Sequence, residues 1–96
     1  MNAIRPETPR PRLSIIVPLY NERESVAPLY HAIVNALLPL RMSFEIVFVD
    51  DGSTDRTVAV ATELARTDPR LRIVKFRRNY GQTAAMAAGI EYARGD

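Results

Sequence analysis

Residues 47–55 read VFVDDGSTD. The apolar run Val47-Phe48-Val49 has the composition of a buried strand, yet it closes on two carboxylates, a glycine and two hydroxyls. Such an ending delivers either a helix cap or a binding site to the C-terminal end of the strand. In the cap reading, Gly52 takes an unusual φ and Ser53 or Thr54 accepts from the first free N–H groups of a following helix. That reading leaves Asp50 beside Asp51 unexplained, because alternation along a strand sends the two side chains to opposite faces. One is expected to hold the loop while the other faces a cleft.

Working outward, Phe44 to Val49 form the strand that carries this ending. Before it, Leu13 to Val17 (LSIIV) is a second near-continuous apolar run. Between them Val26, Leu29, Tyr30, Ile33, Val34, Leu37 and Leu38 recur at the spacing of an amphipathic helix. Ser25 is the expected cap of that helix, Pro28 falls in its first turn and Pro39 ends it. A second helix is predicted from about Asp55 to Arg66, stopped by Asp68-Pro69. A third strand, Leu71 to Phe76, leads through the polar turn RRNYG at 77–81 into an alanine-rich helix from about Gln82 to Ala93, with Gly95 as its C-terminal cap. Gly89 inside that helix disfavours it by about 1 kcal/mol against alanine; close packing of helix on sheet is the expected compensation. The order β-α-β-α-β-α with short connections predicts an α/β fold built on a parallel, Rossmann-like sheet.

Residues 1–12, MNAIRPETPRPR, carry three prolines and three arginines without apolar periodicity and are expected to form a disordered basic leader ahead of the folded part, 13–96. The 96 residues are 47% hydrophobic and 25% charged, enough for one small core. A net charge of +2, with basic and acidic residues interleaved, gives no nucleic-acid-binding stripe. The absence of cysteine excludes disulfides, thiolate metal sites and a cysteine nucleophile, and the single histidine, His31, lies off the apolar face of its helix, where solvent is its expected surrounding. No apolar run approaches the roughly 20 residues that a membrane helix needs.

In such sheets, ligands bind beyond the carboxyl ends of the strands. Three polar clusters fall there: PLYNE at 18–22, Asp50 to Asp55, and Arg77 to Gln82. A carboxylate at this place accepts and does not donate, which suits a ligand edge made of N–H groups, such as the imide of uracil or the amide and amine of guanine. Tyr20 offers a flat ring, Glu22 offers acceptors for ribose hydroxyls, and Arg77 and Arg78 are candidates to sit near a diphosphate. Alternatively, Tyr20 is a partly buried aromatic, Glu22 a first-turn carboxylate favoured by the helix dipole, and Arg77 and Arg78 solvated surface. The turn after the first strand lacks G-x-G-x-x-G and the chain has no G-K-[ST], so classical dinucleotide and P-loop sites are excluded.

The stretches LSIIVPLYNERESV, FEIVFVDDGSTDRTVAVA and FRRNYGQTAAMAAGIEYARGD, in this order and spacing, resemble the N-terminal part of glycosyltransferase family 2 domains, in particular the dolichol-phosphate mannosyltransferase type and other polyprenyl-phosphate sugar transferases. The resemblance runs from Leu13 to Asp96. It implies a GT-A fold, here truncated before its fourth strand, and a reaction that moves a sugar from a UDP- or GDP-linked donor to an acceptor, with a polyprenyl phosphate favoured. It places Pro18, Tyr20 and Glu22 about the nucleoside, Val49 and Asp51 at the base, and Arg78, Asn79, Gly81 and Gln82 on the loop bordering the donor, with Asn21, Asp50 and Gly52 also among the residues that bind the sugar nucleotide. Asp51 is the residue expected to accept the N–H groups of the base. The family's Mg²⁺ or Mn²⁺ is held by an Asp-x-Asp expected beyond Asp96, so neither metal ligands nor catalytic residues are expected within this chain. The implied setting is the cytoplasm, at the membrane face, with membrane contact only through residues beyond this chain. Two other readings stand beside it: a receiver-like signalling domain with an acidic Mg²⁺-binding pair, and a non-catalytic nucleotide-binding fragment.

Overall fold

A computed structural model describes residues 11–93. The elements are β1 (Leu13–Leu19), α1 (Arg23–Leu37), a 3₁₀ turn (Leu38–Leu40), β2 (Phe44–Asp50), α2 (Thr57–Thr67), β3 (Leu71–Lys75) and α3 (Gln82–Tyr92). The three strands are parallel and lie in the order β1-β2-β3, so β2 is central. Its register sets Leu13 beside Phe44 and Leu19 beside Asp50 on one flank, and Ile46 beside Leu71 on the other.

Alternation along the central strand builds two cores. Phe44, Ile46 and Phe48 point to one face, where Leu19, Leu71, Val26 and Tyr30 of α1 and Ala61 of α2 pack against them. Val47 and Val49 point to the other, against Ala85 and Ala88 of α3, with Ile16 and Val74 beside them. All seven residues of β2 are buried, which is why this segment reads as a continuous apolar run. Complete burial of Ile46 and Phe48 is worth about 1.5–3 kcal/mol for each side chain.

Gly89 sits where a Cβ would lie 2.2 Å from Ile16 Cγ2 and 3.1 Å from Val49 Cγ2. Its lack of a side chain lets α3 settle directly on β1 and β2, the close packing expected from the alanine-rich sequence.

Several local expectations are corrected. Helix α1 begins at Arg23, and Ser25 does not cap it; the Ser25 N–H instead donates to the Glu22 carbonyl at 2.8 Å. Pro28 consequently lies inside the helix, past the first turn, on an exposed position where water can serve the Glu24 carbonyl. Strand β1 continues past Val17 through Pro18 to Leu19. The start of α2 is held by Asp55 and not by Ser53 or Thr54, since Asp55 Oδ1 accepts both the N–H (2.8 Å) and the hydroxyl of Thr57. Arg12, assigned to the leader, donates its N–H to the Ser43 carbonyl at 3.1 Å. Pro11, of the same leader, is buried, and residues 1–10 and the Gly95 cap lie outside the described residues.

Two buried polar clusters were not anticipated. Glu45 on β2 accepts the Ser14 hydroxyl at 2.6 Å and Arg72 Nη1 at 3.0 Å, and the same nitrogen of Arg72 donates to the Tyr92 carbonyl at the end of α3. Asp68, ahead of β3, takes two parallel bonds of 2.9 Å from the Arg70 guanidinium and one from the Tyr30 hydroxyl. Both clusters lie toward the N-terminal ends of the strands and leave the opposite pole to the cleft.

Candidate functional site: a cleft at the carboxyl ends of the strands

The loops that follow β1 and β2 are tied to each other by side chains. Asn21, at φ 51, turns the chain after Tyr20. Its Oδ1 accepts the N–H groups of Thr54 (2.8 Å) and Asp55 (3.3 Å), while its own N–H donates to Ser53 Oγ at 2.8 Å. The Glu22 N–H donates to Thr57 Oγ1 at 2.8 Å, so the first free donors of α1 are met from the α2 segment, not by a local cap.

The acidic pair divides as alternation requires. Asp50 turns toward its own loop, with Oδ2 accepting the Ser53 N–H at 2.9 Å and Oδ1 the Ser53 hydroxyl at 2.5 Å. Asp51 turns to the other face and holds the loop after β3. Its Oδ1 accepts the Tyr80 N–H at 2.7 Å; its Oδ2 accepts the Gly81 N–H and Asn79 Nδ2, both at 2.9 Å. Asp51 is 3% exposed, yet it also lines the cleft. Gly52, at φ +80, lets the two loops cross, because a Cβ there would lie 2.3 Å from the Arg78 carbonyl carbon and 2.5 Å from the Asn79 nitrogen.

The cleft has a volume of ≈ 220 Å³ and is lined by Pro18, Leu19, Tyr20, Glu22, Asp51, Asn79, Gly81 and Gln82. Pro18 and Leu19 form an apolar wall, Tyr20 stands 46% exposed at the rim, and Glu22, Asp51, Asn79 and Gln82 supply the polar atoms. A planar ligand with an N–H edge and hydroxyls matches this set. The remaining candidates sit elsewhere. The side chain of Val49 is wholly buried under α3. Asn21, Asp50 and Gly52 shape the loops behind the cleft. The guanidinium of Arg78 lies over the Tyr80 ring, 4.9 Å from its centroid, and Arg77 is exposed. His31 is exposed on α1, its ring edge-on to Tyr30. Sequence reasoning missed Leu19 as a wall residue; the strand continuing through Pro18 is the signal that places it there.

Among the described residues, no group of three His, Cys, Asp or Glu side chains is placed to share a metal ion. Asp50 and Asp51 have their oxygens turned to the Ser53 and 79–81 donors, so the acidic pair does not form a cation site of its own.

The family model described as "Glycosyl transferase family 2" matches residues 14–96. Among curated proteins, the chain is 48% identical over 84 residues to the dodecaprenyl-phosphate galacturonate synthase of Rhizobium johnstonii, covering 86% of this chain and 25% of that protein. It is 44% identical over 85 residues to an undecaprenyl-phosphate 4-deoxy-4-formamido-L-arabinose transferase of Pseudomonas aeruginosa, covering 88% and 25%. Among solved structures, a mannosyltransferase of Pyrobaculum calidifontis in complex with GDP-Man and Mn²⁺ superposes with a TM-score of 0.76 at 32% identity, over 90% of this chain and 25% of that one. The chain thus spans about a quarter of the length of the relatives it matches. These matches set the receiver-like reading aside and agree with the parallel GT-A sheet.

Proposed function

Because this chain belongs to glycosyl transferase family 2, we propose that its cleft binds the nucleotide of a UDP- or GDP-linked sugar donor, and that the whole protein transfers the sugar to a polyprenyl phosphate. The observation that carries the donor part is the placement of Asp51: a buried carboxylate at the tip of the central strand, opening into a cleft rimmed by Tyr20, Glu22 and Gln82. In this reading Asp51 accepts from the base, Tyr20 packs against its plane and Glu22 meets the ribose hydroxyls. Asn21, Asp50 and Gly52 act behind the cleft by fixing its loops, Asn79 holds Asp51 from the cleft wall, and Val49 supports the strand end from within the core. The names of the Rhizobium and Pseudomonas relatives support the lipid-phosphate acceptor.

A divalent ion belongs to the reading at the level of the family, since the Pyrobaculum structure contains Mn²⁺. The described residues do not supply a fitting ligand set for it. The proposed setting is the cytoplasmic face of a membrane. No helix among the described residues is long and apolar enough to cross one.

Titration calorimetry of the full-length protein with UDP and GDP tests the donor reading. Tyr20→Ala changes an exposed ring outside the core, so it should leave folding intact and weaken nucleotide binding about five-fold, the scale of one lost aromatic contact of about 1 kcal/mol. His31→Ala, on an exposed helix position, should leave affinity unchanged. Binding of neither nucleotide, or equal affinities in wild type and Tyr20→Ala, would sink the proposal.

A further inference from the structure

Resting on that donor reading, we infer that the cleft selects a pyrimidine imide base, uracil or thymine, over guanine, and that Asn79 is the positioning residue that enforces the choice. An ionised carboxylate has about four acceptor positions, two on each oxygen. On Asp51 three are taken by protein donors: Tyr80 N–H on Oδ1, and Gly81 N–H with Asn79 Nδ2 on Oδ2. Oδ2 is full, and one position remains, on Oδ1.

Guanine presents two donors side by side, the ring N–H and the exocyclic amine, and pairs with a carboxylate by using both oxygens. With Oδ2 full, one of these donors would enter a buried site without a partner, a cost well above that of a missing contact in water. Uracil and thymine present one N–H between two carbonyls. That single donor fits the remaining position on Oδ1, and the side-chain amide of Gln82, on the cleft wall, is the donor available to a flanking carbonyl. Cytosine and adenine set a ring-nitrogen lone pair beside their amine, which a carboxylate repels.

Asn79 closes the second position on Oδ2 because its amide is held from both ends: Nδ2 donates to the Asp51 carboxylate at 2.9 Å and to the Asp51 carbonyl at 3.2 Å. The Pyrobaculum neighbour was captured with GDP-Man, so this fold alone does not fix the base; the acceptor count at Asp51 does.

Calorimetric Kd values of the full-length protein for UDP, dTDP, GDP and CDP test this. UDP should bind about ten-fold or more tightly than GDP and CDP, the equivalent of one unmade charged hydrogen bond. UDP over dTDP adds a contact to the ribose 2′-hydroxyl, and equal binding places recognition on the imide alone; both outcomes support the inference. Asn79→Ala should shrink the UDP-to-GDP ratio at least three-fold by freeing Oδ2, a change in ratio that general loosening of the loop would not give. Gln82→Ala should weaken UDP more than GDP. GDP binding as tightly as both pyrimidine nucleotides would overturn the inference while leaving the donor reading in place. An unchanged ratio in a folded Asn79→Ala variant would remove Asn79 from it. Binding of no nucleotide would overturn both.

Discussion

The side-chain carbonyl of Asn21 accepts the backbone N–H of Thr54 at 2.8 Å, so the turn after β1 physically holds the turn after β2. Asn21 does this from the left-handed region, φ 51, where asparagine is tolerated far better than alanine. Asn21→Ala loses acceptors for two N–H groups and also adds backbone strain, together about 2–3 kcal/mol. Asn21→Gly keeps the loss and relieves the strain, so it should be less destabilising by about 1 kcal/mol. Denaturant unfolding of the two variants checks this; equal midpoints would mean that the turn is not held at positive φ.

The contact between Gly89 and Ile16 leads to a second test. A Cβ at 89 would stand 2.2 Å from Ile16 Cγ2, and the helix cannot retreat without losing Ala85 and Ala88 from the core. Gly89→Ala gains about 1 kcal/mol of helix propensity and meets overpacking of about 1–3 kcal/mol, so a net loss is expected. Ile16→Ala removes the obstructing methyl, and the double variant should be more stable than the sum of the two single effects by at least about 1 kcal/mol. Simple additivity would show that α3 does not rest on Ile16.

The parts of this fold that were legible in the sequence are those that depend on near neighbours. Phe44 to Val49 announces a strand because every position is buried, and the opposite facing of Asp50 and Asp51 follows from the pleat alone. What escaped depends on distant partners. Nothing near Ser25 says that the first donors of α1 will be met by Thr57 and Asp55, some 30 residues later, so a local cap is the expectation where a long-range one exists. Glu45 offered a partial signal: a carboxylate on the same face as Val47 and Val49 demands a cation, and Arg72 stands on the neighbouring strand. The occupied state of Asp51 was not legible, because its donors come from a loop whose path over Gly52 is fixed only by the fold.

Asp68 gives a pH dependence. The Arg70 guanidinium bound to its carboxylate, and next the Tyr30 hydroxyl, hold its pKa down from 3.8 to about 2 despite burial. A carboxylate whose pKa is lower in the folded state contributes stability that is complete above its unfolded value and lost as pH falls through the folded one. The window therefore runs from about pH 4 to pH 2, and the contribution is about 1–2 kcal/mol once the partly exposed Arg70 is allowed for. Unfolding free energies measured from pH 6 to pH 2 should fall more steeply in wild type than in Asp68→Asn over that window. Parallel curves would show that Asp68 is not paired in solution.

The last expectation concerns β1, which pairs with β2 on one side and with no strand among the described residues on the other. An open strand edge is a template for another chain unless lysines, bulges or prolines blunt it. From Leu13 to Val17 this edge carries none of these, and Pro18 protects only its end. Beside it, Met86 and Ile90 leave an apolar stripe on the outer face of α3, with Ile90 64% exposed. Residues 1–96 expressed by themselves should therefore associate edge to edge at tens of micromolar. Sedimentation velocity should show dimers or larger species, and placing a lysine at an inward position of the strand, as in Ile16→Lys, would confuse the test by destroying the α3 core. A monomeric, cooperatively melting wild-type peptide would show that the open edge of β1 does not drive association.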